Sequence, residues 1–138
     1  MVWSRAMQRS LRIVLSALLL LPLAAVAADG IGGNWAGTYT NKAGKSGDYQ
    51  LTFTPGQGGN WTGEVVAVLD GQPTKSSMTS LVVKGDSIEA AYDFQVKGNK
   101  ASSRIKGARS GETLSGTFET LYKGKVVDTG TWTTSRKK

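Results

Sequence analysis

The sequence predicts an all-β fold, an eight-stranded antiparallel up-and-down barrel, on three observations. Short segments from Gly33 to Arg136 alternate apolar with polar residues at a period of two. Glycine-bearing turns interrupt them about every 10–14 residues, near the spacing of barrels and sandwiches. Tryptophan recurs in a glycine setting, as Gly33-Asn34-Trp35-Ala36-Gly37, Gly59-Asn60-Trp61-Thr62-Gly63 and Thr129-Gly130-Thr131-Trp132. A two-sheet β-sandwich uses the same alternation and is the alternative.

The first segment stands apart from this pattern. Arg5, Arg9 and Arg12 precede an apolar run from Ile13 to Val26, and Ala25-Val26-Ala27 supplies small residues at a cleavage site. This is the layout of a secretory signal peptide over residues 1–28, cut after Ala27 or Ala28. At about 14 residues the apolar run falls short of a membrane span. No cysteine follows it and its arginines are not adjacent, which argues against a lipoprotein signal and a twin-arginine route. The expected product is one domain over residues 29–138, periplasmic or secreted, with no membrane span.

The strands are read in order as Asn34–Thr40, Asp48–Thr54, Trp61–Leu69, Ser76–Val83, Ser87–Val96, Ala101–Arg109, Leu114–Tyr122 and Val126–Ser135. In the second, Tyr49, Leu51 and Phe53 share a face opposite Gln50 and Thr52. In the fifth, Ile88, Ala90, Tyr92, Phe94 and Val96 oppose Glu89, Asp93 and Gln95. In the seventh, Leu114, Gly116, Phe118 and Tyr122 oppose Ser115, Thr117 and Glu119. Such alternation marks a sheet with one wet face. Closing it into a barrel removes exposed edges. Each connecting turn contains glycine, suited to positive φ. Gly37, Gly63, Gly107, Gly116 and Gly130 fall inside strands, where glycine marks a bend or the close approach of another group. Spacing puts Gly37 on the face of Trp35, and Gly63 on that of Trp61.

Gly33-Asn34-Trp35 on the first strand, with a basic residue closing the last, resembles the lipocalin and streptavidin-type barrels. Leu114-Ser115-Gly116-Thr117-Phe118 is similar to their Leu-x-Gly-x-aromatic strands. The resemblance implies that Trp35 closes one end of the barrel and that Arg136 packs across it, a cation–π contact worth about 0.5–2 kcal/mol. Where streptavidin-like proteins place a biotin-contacting asparagine, this chain has Gly37. It also lacks the disulfide and the C-terminal helix of lipocalins.

The chain of 138 residues has no cysteine and no histidine. The usual nucleophilic triads and most zinc sites are therefore absent. No catalytic residue, metal site or cofactor is assigned. Glu64, Glu89, Asp93, Glu119 and Asp128 are the mid-strand carboxylates. Glu89, Asp93 and Glu119 fall on the outward face, as solvated surface groups do. Without the three leader arginines, 14 Lys+Arg stand against 10 Asp+Glu, a net +4. These charges are dispersed, as on a solvated surface, so nucleic acid is not an expected partner. Asn60-Trp61-Thr62 matches a glycosylation acceptor, relevant only in a eukaryotic source.

The remaining signal is aromatic. Trp35, Tyr39, Tyr49, Phe53, Tyr92 and Phe118 are the candidate ligand-binding residues. The expected function is a monomeric, exported, non-enzymatic barrel that binds a small apolar or aromatic ligand. The rival is a structural or inhibitor-like module that presents Pro55–Asn60 and Lys97–Lys100 to a protein partner from a filled barrel. The leader has its own test. Intact mass spectrometry of exported protein is expected to find an N-terminus at Ala28 or Asp29, and retention of Leu18 would refute cleavage.

Overall fold

The computed structural model describes residues 30–138, so the expected leader lies outside the described residues. Eight strands follow one another: β1 Gly33–Asn41, β2 Ser46–Pro55, β3 Trp61–Leu69, β4 Gln72–Lys84, β5 Ser87–Val96, β6 Asn99–Ser110, β7 Thr113–Tyr122 and β8 Lys125–Arg136. Each pairs antiparallel with the next. β1 also pairs with β8, Trp35 opposite Arg136 and Tyr39 opposite Trp132, which closes the barrel and excludes the sandwich. Among the described residues no helix is long and apolar enough to cross a membrane.

The turns explain the tight hairpins. Asp70-Gly71, Lys97-Gly98 and Lys123-Gly124 all carry positive φ at both residues. That is the conformation whose twist matches the strands it joins. The Asp70-Gly71 turn leaves Pro73 inside β4, so this strand begins four residues earlier than its alternation suggests. Pro73 is tolerated because Gln72–Ser77 pair only with β3, while Met78–Lys84 pair only with β5. A bulge at Thr79 marks the handover.

Alternation then places the core. Ile31, Trp35, Leu51, Phe53, Ile88 and Leu114 are each at most 1% exposed and fill one end, the closed end. Outward faces instead carry cross-strand ion pairs, Lys106–Glu89 at 3.7 Å, Arg104–Glu119 at 3.3 Å and Lys75–Glu64 at 3.8 Å. Exposed pairs of this kind contribute little stability. They do make a wall suited to water, since charges facing lipid cost several kcal/mol near the bilayer midplane.

Two in-strand glycines are explained by rings from other strands. A Cβ on Gly107 would strike the Trp132 indole, and one on Gly130 would strike the Phe118 ring. At Gly37 the obstacle is the β8 backbone at Thr133, and at Gly63 it is the Met78 thioether.

The closed end is clamped by Arg136. Its guanidinium lies 4.4 Å from the Trp35 ring centroid. It donates to the carbonyls of Gly32 and Gly30, each at 2.6 Å, and to Glu112 Oε2 at 3.1 Å. The Trp35 indole donates to the Ile31 carbonyl at 2.8 Å. Trp35→Ala is expected to destabilise the barrel by about 3–5 kcal/mol, as loss of a large core side chain does. Arg136→Ala should cost about 1–3 kcal/mol through its charged hydrogen bonds. Urea denaturation checks both, and an unchanged midpoint for Trp35→Ala would contradict the packing described.

Candidate functional site

The opposite end of the barrel is not filled. The inward rows that hold Trp35, Phe53 and Leu114 near one rim continue to Tyr39, Tyr49 and Phe118, whose rings line a space with Ala67, Ser76, Ser103 and Thr120 among them. A cavity of about 310 Å³ opens there among Tyr39, Tyr49, Ala67, Leu69, Tyr92, Phe94 and Phe118. That volume is near the lower bound, about 300 Å³, of small-molecule sites. Part of the lining is aromatic. The Tyr39 ring meets Tyr49 at 5.9 Å and Phe118 at 6.0 Å between centroids, both edge-on, and Tyr92 lies 6.0 Å from Phe94. Polar side chains are interleaved with these rings around the barrel, Thr74 and Ser76 from β4, Ser103 from β6, and Thr120 and Asp128 from β7 and β8.

Each part of the lining follows from local structure. Tyr39 is held because its hydroxyl donates to the Val68 carbonyl at 2.7 Å and its ring covers Gly47. Ala67 is small at the level where its partner on the neighbouring strand β2 is Tyr49, so space remains. β4 lacks a partner on its β5 side along Gln72–Ser77, and Thr74 and Ser76 face the opening left there. On β8, Val127 is the extra residue of a bulge opposite Thr120 and Leu121, and this places it at the mouth.

Deep in the cavity the hydroxyls of Tyr49 and Tyr92 lie 3.0 Å apart. Ser103, 2% exposed, hydrogen-bonds Tyr92 as well. Burial pushes the Tyr49 phenol well above its usual range, and the neighbouring Tyr92 adds to this. Burial also raises Tyr92, although its hydrogen bonds to Tyr49 and Ser103 oppose the shift. Tyr39 is raised by burial and then by the carboxylates of Asp70 and Asp128 at the lip. All three phenols are neutral donors at ordinary pH. At the lip Asp128 is already engaged, accepting from Asn41 Nδ2 at 3.1 Å and from the Thr129 amide at 2.9 Å.

Of the six candidate binding residues, Tyr39, Tyr49, Tyr92 and Phe118 come together around the cavity. Trp35 and Phe53 do not. They lie in the packed half, 0% and 1% exposed, because their inward positions fall near the closed rim. Trp35 and Arg136 stand in contact at that rim. The two loops considered for partner binding lie at opposite ends, Gly56–Asn60 beside the closed rim and Lys97-Gly98 beside the open one. They cannot form one surface. Sequence reasoning missed Ala67, Leu69, Ser76 and Ser103. The available signal was small or polar residues at inward parity within otherwise apolar rows.

No protein-family profile matches the chain, and no curated protein matches it either. Among solved structures it is similar to a redesigned β-barrel, with 22% identity over 78% of this chain and 91% of that one, at a TM-score of 0.59. A likeness of this degree carries the barrel fold alone.

The phenols give the site a pH signature. The folded protein retains protons that the unfolded chain releases above about pH 10. Their contribution is therefore complete below about pH 10 and is lost as pH rises through the raised folded values. Denaturant titrations are expected to show stability falling through that alkaline window. The Tyr49→Phe/Tyr92→Phe protein should lose much less there, and an identical alkaline slope would contradict the burial of these groups.

Proposed function

We propose that this protein is an exported, non-enzymatic barrel that holds a small apolar or aromatic ligand at its open end. The observation that carries the reading is the unequal filling of the interior. A barrel of eight strands is just wide enough to be filled by its own side chains or to hold one small molecule. Here the Trp35 half is filled, while the Tyr49 half keeps a cavity of about 310 Å³. The aromatic lining offers ring faces and edges to a flat or branched apolar group. The Tyr49, Tyr92 and Ser103 hydroxyls at its depth offer a polar anchor for one oxygen or nitrogen atom. A few convergent polar groups in a mainly apolar pocket are the usual composition of a binding site. The rival loop-presenting module calls for a filled barrel and for loops that lie together, and neither condition supports it.

Trp132 supplies the test. Its ring is 5.9 Å from Tyr49, beneath the cavity, so its fluorescence should respond to occupancy. Native mass spectrometry of protein from its own host is expected to show a bound small molecule. Ala67→Phe should fill the cavity and weaken binding at least tenfold while leaving the fold intact. Fluorescence unmoved across a panel of apolar ligands, together with no co-purifying mass, would refute the reading.

A further inference from the structure

The up-and-down topology sends alternate hairpins to opposite ends, so four hairpin tips surround the cavity mouth: β1–β2, β3–β4, β5–β6 and β7–β8. Three of the four are basic. They carry Lys42 and Lys45, Lys97 and Lys100, and Lys123 and Lys125, all exposed. Only Lys100 has a carboxylate within 4 Å among the described residues, Asp93 at 3.5 Å. Because β8 pairs with β1 and β6 with β7, the three basic hairpins are neighbours around the rim, with β7–β8 in the middle. The fourth, β3–β4, carries Asp70 and stands diametrically across the mouth. At the closed end Arg109 and Arg136 are engaged by Asp86 and Glu112, at 2.8 and 3.1 Å, and Lys84, Lys137 and Lys138 are exposed.

Of the four hairpins at the mouth, the central basic one is also the one that exposes large apolar side chains. Val126 and Val127 are 47% and 59% exposed. They follow Lys125 directly, and the bulge that makes Val127 an extra residue interrupts the regular β7–β8 ladder there, at the cavity mouth. The Lys123 ammonium sits 5.4 Å from the Tyr122 ring centroid on the same hairpin. Cations arrayed around a small exposed apolar step form a surface with two matched partners in a bilayer, anionic headgroups and the acyl region just below them. Single-stranded nucleic acid would call for outward aromatic platforms. At this end the rings of Tyr39, Tyr49, Tyr92 and Phe118 face the cavity, which leaves Tyr122, half-buried beside Lys123, outside its lining and no row of platforms.

We propose that the arc formed by the β1–β2, β7–β8 and β5–β6 hairpins docks on an anionic lipid surface, with Val126 and Val127 set into the interface. The cavity mouth then faces the bilayer, a reservoir of apolar molecules. Docking itself does not depend on the cavity taking a ligand, and the two are read by separate measurements.

Co-sedimentation with vesicles tests it. Vesicles of phosphatidylcholine mixed with phosphatidylglycerol should bind the protein, pure phosphatidylcholine should not, and salt at about 0.5 M should release it by screening. Each lysine near an anionic surface contributes about fivefold in affinity, so Lys97→Gln/Lys123→Gln/Lys125→Gln should weaken binding on the order of 100-fold. Lys84→Gln/Lys137→Gln/Lys138→Gln removes equal charge from the closed end and should change it little. Val126→Ser/Val127→Ser should weaken binding several-fold at constant charge. All these positions are exposed, and circular dichroism verifies that the variants fold. No binding to the mixed vesicles, equal loss in the two lysine variants, or binding to a single-stranded oligonucleotide in preference to the vesicles would overturn the proposal.

Discussion

The contact on which the rest of the barrel depends is the one between Arg136 and the first residues of the fold. A single guanidinium covers the Trp35 indole and bonds two carbonyls of the entering chain and the Glu112 carboxylate. These partners come from the beginning of the domain and from the β6–β7 turn, while Arg136 itself ends the last strand. Without a disulfide, this side chain ties both termini of the domain to one rim. Guanidinium geometry is needed, since its planar fork can address several acceptors while its face rests on a ring. A lysine there would supply charge alone.

Anchoring one rim so firmly permits the other to remain open. The side chains around Trp35 are fully buried, and each adds burial at about 25 cal/mol per Å² of apolar surface. Past Trp132 the rows mix Tyr39, Tyr49 and Tyr92 with Ala67, Ser76, Ser103 and Thr120, and these small and polar members forgo that gain. An interior of this kind is less stable than a fully packed one of the same length, which is why the open half is read as functional. The tyrosine pair limits the loss, because each buried hydroxyl finds a partner and no buried side-chain polar atom among the described residues is left unbonded. The same asymmetry separates the surfaces. Arginine–carboxylate pairs hold the closed rim, whereas the open one carries three lysine-bearing hairpins and the exposed Val126 and Val127.

Much of the fold was legible because strand alternation and turn chemistry report directly on local backbone. Trp61–Leu69 and Ser87–Val96 are observed at the limits their alternation indicates, and no strand is missing. β4 was cut short because Pro73 reads as a turn residue, although a strand paired on one side at a time can hold it. Closure required knowing that β1 meets β8, which no local pattern states. The site was legible only in part. Parity assigns an aromatic to the interior but not to a level along the barrel axis, so Trp35 and Phe53 could not be separated from Tyr49 and Tyr92. Level is set by register, and register here depends on the β4 bulge at Thr79 and the β8 bulge at Val127. Polar liners such as Ser103 were overlooked because a serine in a strand carries no mark of burial.

Hydrogen exchange at the Trp35 indole is the most direct test of the account. Its N–H is bonded to Ile31 beneath the Arg136 clamp. If that clamp holds the barrel closed, this proton exchanges only when the whole domain unfolds, with the same free energy as the most protected strand amides. Arg136→Lys should then accelerate it through opening of the closed rim. Rapid exchange in the unaltered protein, or a rate indifferent to Arg136→Lys, would contradict the claim that this contact holds the fold together.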